Sequence, residues 1–235
     1  MSSFEELVGE KIYHILYSYE DKYGNEFEDR DDLLLCEDED IPLERVKKLK
    51  LLISYGSSDK EVIIAFEAAK LLCAWGEVEG IKYMKYFMEK YYGDLRSSYP
   101  MSHHRLYGYD TTVEEIEEVI MCYQARWSDR LAAQGNSICP EIRHIVTLIL
   151  NRAKLCEHNM LGIIQEIKQE KWHYFDTQLK ECMIAYLEKE DQSRNSYWNT
   201  IDLKVFFEER DPEFLSKIEE KYGVIDIPDS VRNQI

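Results

Sequence analysis

Apolar side chains recur at steps of three and four residues along almost the whole chain, the spacing of a helix with one buried face. Phe4, Leu7, Ile12, Ile15, Leu16 and Tyr19 predict a first helix over about 3–23, stopped at Gly24-Asn25. Pro42 opens a second, which carries Val46, Leu49, Leu52 and Ile53 and ends at Tyr55-Gly56-Ser57-Ser58. Asp59 is expected to cap a third, where Val62, Ile63, Phe66, Ala69, Leu72 and Cys73 make a broad apolar stripe up to Gly76. A fourth, over about 77–92, presents Ile81, Met84, Phe87, Met88 and Tyr91. Residues 93–110 break the pattern and read as a long loop of the kind that is often functional. Helical spacing resumes over about 111–134, 140–156, 158–174, 176–190, 196–209 and 212–222, and the tail VIDIPDSVRNQI closes the chain. Strand-like alternation nowhere exceeds four or five residues. The expected fold is all-α, with about ten helices in one domain spanning 1–235.

The stretch PLERVKKLKLLISYGSSDKEVIIAFEAAKLLCAWGEVEGIKYMKYFM, from Pro42 to Met88, resembles a HEAT-type repeat. It has a first helix of leucines, Asp59 in the turn, then Val62, the pair Ala68-Ala69, Leu72 and Gly76. Small alanines let two helices approach, and a glycine permits the sharp turn into the next unit. The position after Val62, often arginine in that family, is Ile63. The resemblance implies a short, irregular α-solenoid-like stack. Its parts would be an acidic helix and loop over 1–41, a HEAT-like unit over 42–92, the loop 93–110, and further helix pairs with a short tail over 111–235.

Charge changes the picture. The formal net charge is −17, and residues 1–40 carry fourteen acids against three bases. Nine of those carboxylates, with a single arginine, lie in EFEDRDDLLLCEDED, residues 26–40. Such a chain is repelled by nucleic acid and by anionic lipid, and its electrostatic partner is a basic protein or a metal cation. No run reaches the length of a membrane span, the opening MSSFEELVGEKIYHILYSYE has no signal pattern, and the six cysteines are widely spaced. These features lead us to expect reduced thiols and a cytoplasmic location.

Catalytic motifs are thin. GxSxG, HExxH, phosphate-loop and dinucleotide signatures are missing from the sequence. Two E-x-x-H pairs, Glu141/His144 and Glu170/His173, suggest a carboxylate-bridged metal site, but neither sits mid-helix on an inward stripe. Cys139 with His144, Cys156 with His158, and the loop pair His103-His104 match no strong zinc or acid–base pattern. The expectation is a protein without catalytic residues, metal or cofactor.

As a calcium loop the acidic segment fails, since the frame starting at Asp29 has Leu34 where glycine is needed and Asp40 in place of the final glutamate. Leu33-Leu34-Leu35-Cys36 is instead suited to dock on a core and hold the flanking acids at the surface. Asp29, Asp31, Asp32, Glu37, Asp38, Glu39 and Asp40 are the candidates for steering a basic partner. Tyr83, Tyr86, Tyr107 and Tyr109 are candidate aromatic anchors, tyrosine offering a large contact area with few rotors. In general character the chain resembles the immunity proteins of bacterial contact-dependent and Rhs-type toxin systems. That resemblance implies neutralisation of a basic toxin domain, for example a nuclease, with no nucleic-acid or membrane partner. A HEAT-like scaffold or adaptor is the alternative, and a metal-dependent enzyme using the E-x-x-H pairs the remote one.

Overall fold

The computed structural model describes residues 4–17, 20, 23–24, 30–56, 58–92, 112–130, 138–155, 158–189 and 193–226. Among these residues the chain is all-α, with twelve α-helices. They are α1 (Phe4–Val8), α2 (Glu10–Tyr17), α3 (Arg30–Leu35), α4 (Leu43–Leu52), α5 (Asp59–Ala74) and α6 (Val78–Phe87). There follow α7 (Thr112–Arg130), α8 (Pro140–Ala153), α9 (Leu161–Gln169), α10 (Asp176–Leu187), α11 (Arg194–Arg210) and α12 (Pro212–Tyr222). Two differences account for the step from ten helices to twelve. The first expected helix is broken at Gly9, whose φ of 91° suits glycine and not the helix, and it ends at Tyr17. The acidic segment, read as irregular, contains the short helix α3. The expected loop 93–110 lies outside the described residues.

The contacts gather in two compact units, Met1–Ile145 and Val146–Ile235. In the first unit α5 is the central helix. Every residue from Ile64 to Ala74 is buried, including Glu67 and Lys70, because α4, α6 and α7 all pack on it. Ser58, not Asp59, caps α5: its hydroxyl accepts from the Glu61 N–H while the Glu61 carboxylate accepts from the Ser58 N–H at 3.3 Å. The helix closes at Trp75-Gly76, where Gly76 takes a φ of 74° and the Glu77 N–H reaches back to the Leu72 carbonyl at 2.8 Å. The chain then doubles back as α6, and Gly80 is what lets α6 touch α5. A Cβ there would lie 2.7 Å from the Cys73 Cα. Lys50 closes the corner by pairing with Glu77 and Glu79 at 2.7 and 3.1 Å.

A buried ionic cluster sits beside the apolar core of this unit. Lys70 bridges Glu67 at 2.9 Å and Glu115 of α7 at 2.5 Å. A buried charge is tolerated only when it is matched in this way. Burial and the neighbouring Glu67 carboxylate together push the Tyr17 phenol well above its ordinary range, so that it stays a neutral donor.

In the second unit α11 packs on α9, α10 and α12. Asn199, fully buried on α11, satisfies the turn before α9: its amide donates to the His158 carbonyl at 2.8 Å and accepts the Met160 N–H at 3.0 Å. Asp211 caps α12 through the Phe214 N–H and also binds Lys180 at 2.5 Å.

Candidate functional site

The acidic segment is tied down from three directions. Leu33, Leu34 and Cys36 are buried, whereas Leu35 points outward with 66% of its surface exposed. The Trp75 indole, itself enclosed in the core, donates to the Leu33 carbonyl at 2.9 Å. From α7, Arg126 donates to the Ala74 carbonyl at 2.7 Å and to the Cys36 carbonyl at 2.5 Å, and pairs with the Asp38 carboxylate. Arg130 adds the Gly76 carbonyl at 3.1 Å and Asp38 at 3.7 Å. Ala74 ends α5 and Cys36 directly follows α3, so a single guanidinium answers the carbonyls and the negative dipole ends of two helices.

Arg45 does the same for α2. Its guanidinium donates to the Ile15 and Leu16 carbonyls at 2.7 and 2.9 Å and lies 5.5 Å from the Trp75 ring. These anchors bracket a cleft of about 710 Å³ between the end of α2, the 38–42 turn and the start of α4. Four carboxylates line it: Glu20, Asp38, Glu39 and Glu44. Its apolar lining includes Ile15, Tyr23, Ile41 and Leu43, with Tyr23 73% and Leu43 67% exposed. Arg45, Lys48 and His14 are its basic lining groups. Lys47 sits 2.6 Å from Glu44 and, through that bond, holds the Glu44 carboxyl below its usual range.

The expected site residues fall into separate groups. Asp32, Glu37, Asp38 and Glu39 are at the surface and Asp40 is half-buried. Asp38 is already bound by Arg126, which makes it an anchor of the segment. Asp29, Tyr107 and Tyr109 lie outside the described residues, as does the side chain of Asp31. Tyr83 belongs to the core. It is fully buried with its hydroxyl 3.5 Å from the Val62 carbonyl and rings of Tyr55 and Tyr86 at 5.6 and 5.7 Å, so it has no face left for a partner. Burial also pushes its phenol above the ordinary range. Tyr86 is half-buried, edge-on to the exposed Tyr55 at 4.7 Å, with Lys90 donating to its hydroxyl at 2.6 Å.

The E-x-x-H pairs are engaged elsewhere. His144 lies 2.8 Å from Glu89, and Glu141 takes the Cys139 thiol at 3.2 Å. His173 begins a separate 3-10 turn after α9 has ended and faces Asp176 at 3.5 Å. Among the described residues no three His, Cys, Asp or Glu side chains gather as metal ligands, and no helix is long and apolar enough to cross a membrane.

Sequence reasoning missed Arg126, Arg130 and Arg45 as the residues that hold the acidic region. Nothing local marks them, because each acts on carbonyls and carboxylates tens of residues away. Glu20 and Glu44 were missed because they join the cleft from beyond the end of α2 and from α4, outside the acidic run. No family model matches the chain, and neither a curated protein nor a solved structure matches it.

Proposed function

We propose that this chain is a non-catalytic binding protein that captures a basic protein partner. In its most specific form it is an immunity protein that neutralises a basic bacterial toxin, for example a nuclease, by occluding its active cleft. The observation that carries this reading is the tethering of the acidic segment by Arg126, Trp75 and the buried Leu33-Leu34 pair, which leaves Asp32, Glu37 and Glu39 at the surface. Tethered charge differs from a floppy acidic tail, since the cost of ordering the segment is met in folding and not at binding. Residues 26–40 carry nine carboxylates against the single Arg30, so the segment has a strong negative field. That field would speed the encounter with a cationic partner, and the carboxylates would stand where phosphates lie in a nuclease cleft.

The test begins with capture from the native host's lysate at about 0.15 and 0.5 M salt, a range over which exposed charge contacts weaken sharply. With the recovered basic partner, the triple variant Asp32→Lys/Glu37→Lys/Asp40→Lys is expected to associate more slowly and with a flatter salt dependence. Unchanged association kinetics would remove the acidic segment from the encounter. One observation favours the scaffold or adaptor reading, the packing of α4, α5 and α6 in chain order, which is compatible with a repeat-like stack. On that reading the partner binds equally well after the three reversals.

A further inference from the structure

We infer that Cys122 and Cys73 are a redox pair: a hydroperoxide oxidises Cys122, Cys73 closes a disulfide on it, and the bond locks α7 to α5 beside the arginine clasp. This goes beyond the binding reading and holds whatever the partner is. Three contacts trace the seam between the two helices. Lys70 meets Glu115 at 2.5 Å, the Cys73 thiol donates to the Val119 carbonyl at 3.4 Å, and Arg126 reaches the Ala74 carbonyl at 2.7 Å. Glu115, Val119, Cys122 and Arg126 follow at steps of four, three and four, which is one stripe of α7 turned to α5. Cys122 therefore stands on the seam, between the residue that touches Cys73 and the one that touches Ala74. A helical side chain leans toward the N-terminus of its helix, so that of Cys122 lies back over the Val119 turn, where the Cys73 thiol sits.

The two thiols differ in the way such a pair requires. Cys73 is fully buried, and burial pushes its thiol well above the ordinary range, with the Cys122 and Cys139 thiols adding to the rise. It keeps its proton and is closed to an oxidant. Cys122 is half-buried, so it is the one of the two that solvent reaches. Cys139, the third thiol nearby, is buried and donates to the Glu141 carboxylate at 3.2 Å, which gives it a different partner.

The steps balance with a hydroperoxide as oxidant. The Cys122 sulfur breaks the O–O bond and becomes a sulfenic acid, releasing water or an alcohol. The Cys73 sulfur then attacks that sulfur, the S–O bond breaks, and the hydroxyl leaves with the Cys73 proton as water. The two thiols lose two electrons and the peroxide gains them. Arg126 lies one turn beyond Cys122, so the new bond fixes the part of α7 from which the acidic segment is clasped.

The full chain is treated with an excess of hydrogen peroxide, with and without dimedone, and its peptides are mapped by mass spectrometry. A Cys73–Cys122 linked peptide should form without dimedone and revert with dithiothreitol, and dimedone should label Cys122. Cys73→Ser should abolish the link and raise dimedone labelling of Cys122 severalfold, whereas Cys139→Ser should leave the link unchanged. Hydrogen exchange at residues 33–41 should slow on oxidation of the parent and stay the same in Cys73→Ser. Circular dichroism of each variant confirms that it is folded. In the parent chain itself, no linked peptide, a link made through Cys139, or Cys122 carried only to the sulfinic acid would overturn the pair. Exchange at 33–41 that ignores the disulfide would overturn its hold on the clasp.

Discussion

Arg126 and Asp38, 88 residues apart in the chain, form an ion pair that fastens the acidic segment to the end of α7. The pair is part of a larger clasp, since the same guanidinium also serves the Ala74 and Cys36 carbonyls. Three helix ends, those of α2, α3 and α5, are thus finished by arginine side chains arriving from other elements. The clasp makes the negative region part of the folded unit.

Removing the clasp should loosen that region. Arg126→Ala strips donors from partly buried carbonyls and leaves Asp38 facing only Arg130, at a cost of about 2–4 kcal/mol. Arg126→Lys should rescue little, because one ammonium cannot span carbonyls on two helices. Urea unfolding read by circular dichroism gives the loss. Hydrogen exchange should rise at residues 33–41 ahead of the rest of the first unit, and uniform exchange across that unit would contradict the local role.

Gly80→Ala sets two effects against each other. Helix propensity favours alanine by about 1 kcal/mol. Against this, the new methyl would press on the α5 backbone at Leu72 and Cys73, where no flexible side chain can yield. Overpacking of this kind costs about 1–3 kcal/mol or more, so the variant should be less stable than the parent. A thermal midpoint at or above the parent's would show that the two helices part easily.

Lys171 occupies the left-handed position that ends α9, with φ of 56°, the place where glycine is usually found. Lys171→Gly should relieve that strain and raise stability by about 0.5–1 kcal/mol, read from the urea midpoint at unchanged slope. The Trp172 N–H bond to the Ile167 carbonyl, 3.1 Å, would be kept.

Asp202 on α11 has no hydrogen bond or ion pair among the described residues, and burial raises its carboxyl to about 6. Below its ordinary value near 3.8 the group is neutral whether the chain is folded or not, so it costs nothing there. Above about 6 it is charged in both states and the folded state bears the full desolvation cost. Stability from this group therefore falls as pH rises through that window. Asp202→Asn should stabilise by about 1 kcal/mol at neutral pH, after allowing for partial solvent screening, and the gain should vanish at about pH 3.5. Thermal midpoints of the two proteins across the window check the sign.

The apolar spacing alone determined the all-α class and the placing of most helices, because helical register is written within each turn of the chain. Pro42, Gly76 and Pro212 mark ends that the structure keeps within a residue or two. Of the apolar island Leu33-Leu34-Leu35-Cys36, the docking of Leu33, Leu34 and Cys36 was legible, whereas Leu35, expected with them, stands 66% exposed, because a single helical turn can bury only one of its faces. Tertiary packing decided the rest. Tyr83 and Tyr86 are both aromatic and three residues apart, yet only the packing of α6 on α5 says which of them is sealed in the core. Asp38 and Glu39 are adjacent and alike in sequence, yet only the arrival of Arg126 turns the first into an anchor. Periodicity reports which face of a helix is apolar. The cleft and its clasp depend on which faces meet, and that is set by packing between segments far apart in the chain.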